Sequence, residues 1–177
     1  RGSGALAIFR SLLVNPSLRR LELNQIGLEI STEQEITEIS HLLSENKTLS
    51  DLSLDQNDLG DTIISFLSSG FNGNQSLVRL SLSRNKISSL GLLSLSRALS
   101  KPGISHLVLS DNSIDSNCGQ DLAVMITGNP SLSHLDLYMN QLGPVGAREL
   151  LESLGAVSSL SIGDNCLCQP GSLDMSQ

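Results

Sequence analysis

Six times along the chain the pattern Leu-x-x-Leu-x-Leu-x-x-Asn-x-Leu returns, with Ile or Val free to replace Leu, and nothing else in the sequence limits the fold so tightly. The four clear copies are Leu49, Leu52, Leu54, Asn57, Leu59; Leu77, Leu80, Leu82, Asn85, Ile87; Ile104, Leu107, Leu109, Asn112, Ile114; and Leu132, Leu135, Leu137, Asn140, Leu142. A weaker copy precedes them, with Leu18, Leu21, Leu23 and Leu28 but Ile26 in the Asn place, and another follows, with Val157, Leu160, Ile162, Asn165 and Leu167. The starts at 18, 49, 77, 104, 132 and 157 lie 31, 28, 27, 28 and 25 residues apart, a period that signals a solenoid. The template also accounts for 35 Leu and 31 Ser in 177 residues with only 2% aromatic side chains.

Each period carries a second signal, small or apolar residues four apart, the spacing of one helical face. These anchors are Ile63, Leu67, Phe71; Gly91, Leu95, Leu99; Cys118, Leu122, Ile126; and Gly146, Leu150, Leu154, each set starting six residues after the template Asn. Glu35, Ile39 and Leu43 match them in the first copy, and Gly4, Ile8 and Leu12 match them ahead of it, so the chain is expected to open inside a unit and to be a piece of something longer. Length varies in loops only. Asn15, Asn46, Asn74 and Asn129 stop the helices, and Ser31 or Thr32, Asp61 or Thr62, Ser88 and Pro144 suit the helix starts.

One such unit alone cannot bury its Leu positions, whereas stacked units bury them continuously. The Asn at each strand end has an amide able to bond turn backbone that would otherwise be buried unpaired. Ile26 has none, so the first copy is expected to be looser. The pattern resembles the leucine-rich repeat, and the 27 to 28 residue period with a Gly-Ala-x-x-Leu helix start (Gly146, Ala147, Leu150; also Gly4, Ala5) is most similar to the ribonuclease-inhibitor subtype. The resemblance implies an α/β solenoid, a curved horseshoe with a parallel concave sheet and convex helices. The expected organisation is a leucine-rich-repeat domain over residues 1–168, about six strand-helix units, and a C-terminal tail over 169–177.

With the Leu side chains inward, alternation along each strand turns template positions three, five and seven outward. The predicted contact surface therefore includes Arg20, Glu22, Asp51, Asp55, Arg79, His106, Val108, His134, Asp136 and Tyr138, with Met139 beside them, while Asn57, Asn85, Asn112, Asn140 and Asn165 form a structural ladder. The later units hold the aromatic and adaptable side chains that concentrate binding energy, so a partner is placed there first.

Sharper chemistry is outweighed. His106 and His134 share a template position with Asp136 nearby, a set of metal-ligand types, but repetition of Ser-His-Leu accounts for the pair and nothing organises a second shell; a pH-sensitive contact is the better reading. Cys166-x-Cys168 lacks metal or redox spacing, no Gly-x-Ser-x-Gly or phosphate-loop motif occurs, and adjacent Ser133 and His134 face opposite sides. No enzymatic activity, metal, cofactor or small-molecule substrate is expected. A formal net charge of -7 without basic runs argues against nucleic acid, and no stretch is apolar enough to span a membrane. Three Cys fit a reducing, cytoplasmic setting.

The expected function is non-enzymatic protein binding through the concave sheet. The resemblance implies settings such as innate immune receptors, bacterial effectors delivered into a host cell, and substrate-recognition arms of ubiquitin ligases. The alternatives are regulation of an enzyme such as a small GTPase, as in Ran GTPase-activating proteins, and a structural or self-associating scaffold. The acidic tract typical of the Ran regulators is absent here.

Overall fold

A computed structural model of the chain describes residues 4–28 and 32–168. Ser31 and the tail 169–177 lie outside the described residues. Helix and strand alternate throughout: α1 (Gly4–Val14), β1 (Arg20–Glu22), α2 (Glu33–Glu45), β2 (Asp51–Ser53), α3 (Gly60–Gly73), β3 (Arg79–Ser81), α4 (Ser89–Leu99), β4 (His106–Val108), α5 (Gly119–Gly128), β5 (His134–Asp136), α6 (Gly143–Leu151) and β6 (Ser159–Ser161). The six strands form one parallel sheet in sequence order. Each pairs with the next at identical template positions, so that Leu21, Leu52, Leu80, Leu107, Leu135 and Leu160 stand in one row. This is the repeat solenoid expected from the period: strands only three residues long bury one face against the helices and turn the other outward.

The core is one continuous cluster running between sheet and helices; it contains most template positions and most anchors, together with helix residues beside them such as Phe9, Ile36, Ile64, Leu92 and Met125, whereas the anchors Ile8, Ile63 and Leu154 are only partly buried against it. Leu54, Leu82, Leu109 and Leu137 are at most 1% exposed, as are Ile64, Leu95, Cys118, Leu122 and Leu150. At the ends the cover thins. Leu21 and Leu160, in the outermost strands, are only half-buried, whereas the four equivalent leucines between them are at most 2% exposed.

The template asparagines tie the units together. Asn57 Nδ2 donates to the Leu23, Leu54 and Asp55 carbonyls, and Asn85, Asn112, Asn140 and Asn165 each donate likewise to carbonyls of their own and the preceding unit. Their Oδ1 atoms accept backbone N–H groups of the preceding unit, including the Ile26 N–H, which donates to Asn57 Oδ1 at 3.2 Å. The asparagines at the helix ends form a second ladder. Asn46, Asn74 and Asn129 close their own turns by accepting N–H groups two or three residues on, while Nδ2 reaches Leu12, Leu43 and Ile104 carbonyls of the preceding unit. All three are at least 93% buried, so they are cross-unit staples as well as helix stops.

The helix starts divide. Thr32 and Ser88 cap α2 and α4 by accepting the Glu35 and Leu90 N–H groups. Pro144 sits in the first turn of α6, where a missing N–H costs nothing. Asp61 and Thr62 do not cap α3, which begins at Gly60 after Leu59 with no side-chain cap. Asp61 instead serves the next unit: Oδ1 accepts from Ser88 N (2.8 Å) and Gly91 N (3.0 Å), and Oδ2 accepts from Ser88 Oγ (2.5 Å). The carboxylate can approach because residue 91 is Gly; a Cβ there would lie 2.5 Å from Asp61 Oδ1. Asp61→Ala is therefore expected to cost about 1 kcal/mol, the value of a lost helix cap. The measurement is a urea midpoint, and an unchanged midpoint would remove this cross-unit role. Cys118 ends a 3-10 turn (Ser116–Cys118) that precedes α5 and does not lie within the α-helix, because the Asp115 side chain accepts from Asn117 and its carbonyl from Cys118.

Candidate protein-binding face

Because the strands are in register, outward residues form columns across the sheet. Arg20, Asp51, Arg79, His106, His134 and Ser159 make one column, and Glu22, Ser53, Ser81, Val108, Asp136 and Ser161 the next. Arg20, Glu22, Asp51, Asp55, Arg79, His106 and Val108 line a common groove of about 700 Å³. His134, Asp136, Tyr138 and Met139 lie beyond it, toward β6. The structural asparagines are 0–8% exposed beneath this face and do not belong to its contact surface.

Much of the charge at the β1 to β3 end is satisfied internally. Arg20 pairs with Glu22 at 2.6 Å and Arg79 with Asp51 at 3.0 Å. The Asp51 carboxyl is held below its ordinary value by the Ser50 hydroxyl, then by Arg79 and Arg20, against the opposing effect of burial. Asp55 collects the Ser53 and Ser81 hydroxyls and the Ser83 N–H. Such pairs hold side chains in place more than they stabilise the fold, since exposed ion pairs contribute little.

At the β4 to β6 end the chemistry changes. The His106 and His134 rings stack at 4.0 Å between centroids with 10° between planes, and each Nδ1 lies 2.8 Å from the hydroxyl of the preceding Ser105 or Ser133. Parallel rings direct their in-plane lone pairs side by side and not to one point about 2.0 Å from each, as a shared zinc would need. Adding zinc is expected to leave the melting temperature unchanged; a chelator-reversible rise would revive a His106, His134, Asp136 site. No group of three or more potential metal ligands occurs among the described residues.

Burial, then His134 and Arg79, depress the His106 pKa from 6.5, with Asp51 opposing them. Below about pH 6.5 the unfolded chain takes up this proton before the folded one does, so stability contributed by neutral His106 is complete above that pH and falls as pH drops. The loss in melting temperature between pH 7 and 5.5 is expected to be smaller in His106→Gln than in the parent. Equal slopes would contradict it.

Tyr138 and Met139 are 41% and 42% exposed. The Tyr138 ring lies on Gly163, where a Cβ would come within 3.1 Å of Cδ2. The neighbouring Asp164 carboxylate, by hydrogen bonding first and charge second, holds the phenol above its ordinary pKa. Met139 has a left-handed backbone (φ 54°), as do Gln25, Gln56, Arg84, Asp111 and Asp164 at the same template position. Sequence reasoning missed Gly163 and Asp164 as supports for Tyr138, since only the register reveals that they adjoin it. It also missed a second groove of about 430 Å³ at the turns, bordered by Gln25, Gln56, Asp58, Arg84, Lys86 and Asp111, with Arg84–Asp111 (2.8 Å) and Lys86–Asp58 (2.9 Å) pairs.

Comparison with known proteins agrees with this architecture. The family model described as "Leucine Rich repeat" matches residues 45–68, 73–96 and 128–151. The chain is 32% identical over 151 residues to mouse "NACHT, LRR and PYD domains-containing protein 5", covering 84% of this chain and 13% of that protein. It is 39% identical over 83 residues to pig "Ribonuclease inhibitor", covering 46% and 18%. Among solved structures, the leiomodin-1 actin-binding site 2 superposes with a TM-score of 0.62 at 16% identity, covering 86% of each chain. The Caenorhabditis elegans tropomodulin C-terminal domain gives 0.61 at 16% identity, covering 87% of this chain and 93% of that one. Those two likenesses concern the fold alone. The chain belongs to the leucine-rich-repeat family, with repeats of the ribonuclease-inhibitor type. It spans under a fifth of the length of these sequence relatives, and the matched family is not an enzymatic one. No helix among the described residues is long and apolar enough to cross a membrane.

Proposed function

We propose that the chain is a non-enzymatic recognition module that binds a protein partner through its concave sheet, chiefly over β4 to β6. The observation that carries this reading is the columns of outward side chains, which turn from ion-paired at one end to exposed Tyr138 and Met139 beside the stacked His106–His134 pair at the other. His106, Val108, His134, Asp136, Tyr138 and Met139 are the primary contacts, and Arg20, Glu22, Asp51, Asp55 and Arg79 extend the face. Exposed aromatic and Met side chains on a rigid support are the residue types in which interfaces concentrate energy. The similar pig protein, an inhibitor of ribonuclease by name, supports a protein partner. The cytoplasm is the proposed setting, which three free thiols favour.

The test is a pull-down from cell lysate with mass-spectrometric identification, comparing the parent with a variant carrying Ala at 106, 134, 136 and 138. A protein retained by the parent and lost by the variant, with unchanged circular dichroism, is the expected result. If both retain the same proteins, or neither retains any, the concave face is not the binding surface.

A further inference from the structure

On the strands and the turns that follow them, the described residues carry eight carboxylates and four basic side chains. All four bases are already engaged: Arg20 with Glu22, Arg79 with Asp51, Arg84 with Asp111 and Lys86 with Asp58. No ion pair engages the remaining carboxylates, Asp55, Asp115, Asp136 and Asp164, among the described residues, and Asp115 is occupied by the Ser89 hydroxyl and the Asn117 N–H. Asp55 is occupied by two Ser hydroxyls and a backbone N–H. Asp136 and Asp164 both neighbour Tyr138, Asp136 accepting its backbone N–H at 2.9 Å and Asp164 raising the pKa of its phenol. The unbalanced negative charge is thus gathered around the exposed aromatic ring of the face.

That ring is fixed before any partner arrives. Gly163 beneath leaves room for it, with Cδ2 and Cε2 against the glycine, Asp164 adjoins its phenol, and Met139 follows it in a left-handed backbone. An exposed aromatic ring with one carboxylate near its backbone and another near its phenol attracts a desolvated cation through the ring quadrupole and through charge together. An anionic or purely apolar segment would leave the two carboxylates uncompensated or stripped of water.

We infer that the end of the concave sheet around Tyr138 receives a basic segment of a partner protein, with one Arg or Lys side chain over the ring between Asp136 and Asp164. The inference rests on the proposed function and specifies the chemistry of the partner. Gly163 is part of the arrangement: a bulkier residue displaces the ring without altering any charge.

The probe is a phage-displayed library of random twelve-residue peptides, selected on the full chain and counter-selected on a Tyr138→Ala, Asp136→Asn, Asp164→Asn variant. Peptides that bind the parent alone are expected to carry Arg and Lys at three times their library frequency or more. Replacing the key Arg by isosteric, neutral citrulline is expected to weaken binding tenfold or more, as is Gly163→Val in the protein. Neutral or acidic peptides with the same dependence on the three residues would overturn the inference while leaving the concave face as a protein-binding surface. Basic peptides that bind the variant as well as the parent, or a selection yielding no peptide specific to the parent, would overturn it too. The lysate pull-down decides separately whether the face binds protein at all.

Discussion

Replacing Asn85 with alanine is expected to lower the unfolding free energy by about 3 kcal/mol, the cost of leaving buried backbone groups unpaired in the middle of the stack. Asn85 is fully buried. Its Nδ2 donates to the Leu54 carbonyl at 2.9 Å and the Ser83 carbonyl at 3.1 Å, and its Oδ1 accepts the Asn57 N–H at 3.1 Å. Truncation orphans the buried Asn57 and Leu59 N–H groups of the preceding unit, for which the surrounding Leu side chains offer no acceptor, while the Leu54 and Ser83 carbonyls keep Asn57 Nδ2 and the Gln56 N–H as partners. A urea midpoint reads the effect. Equal midpoints for mutant and parent would mean that the asparagine ladder fills space without holding the units together.

The second large effect runs against helix propensity. In most helices Gly→Ala is stabilising by up to about 1 kcal/mol, yet Gly70→Ala is expected to destabilise this chain by about 2 kcal/mol. A Cβ at residue 70 would lie 2.4 Å from the Ser40 carbonyl oxygen and 3.0 Å from its carbonyl carbon. Backbone cannot swing aside as a side chain can, so α2 and α3 must separate, an overpacking penalty of about 1 to 3 kcal/mol. Separation also strains the Ser40 hydroxyl, which donates to the Phe66 carbonyl at 2.9 Å and lies 2.8 Å from Ser69 Oγ. A melting temperature higher than that of the parent would show that the helices are not locked at this distance.

The fold was legible because its determinants repeat. The template identifies the inward face of the sheet and the four-residue anchors most of that of the helices, burial in α1 and α3 falling on Phe9 and Ile64 beside the expected Ile8 and Ile63, and the six strands pair at the positions the alignment of the chain with itself prescribes. What could not be read were interactions between units, for which a single copy carries no signal. Asp61 has the composition of a local helix cap, and only the stacked geometry shows it serving Ser88 and Gly91 one unit on. The left-handed backbone shared by Gln25, Gln56, Arg84, Asp111, Met139 and Asp164 is equally silent, because none of these is Gly; the first five each donate a backbone N–H to a carbonyl of the next unit, a bond between units. In the candidate site, alternation gives the outward residues but not their associations. The facing of His106 and His134 follows from equal template positions, whereas their stacking and the seat of Tyr138 on Gly163 require the strand spacing and twist.

The most direct measurement is site-specific photo-crosslinking in cell lysate, with p-benzoylphenylalanine in place of Tyr138 on the concave face or of Val124, 52% exposed on α5. The account predicts a discrete protein adduct from position 138 and none of the same mass from position 124. An adduct formed only from 124, or equally from both, would contradict recognition through the concave sheet.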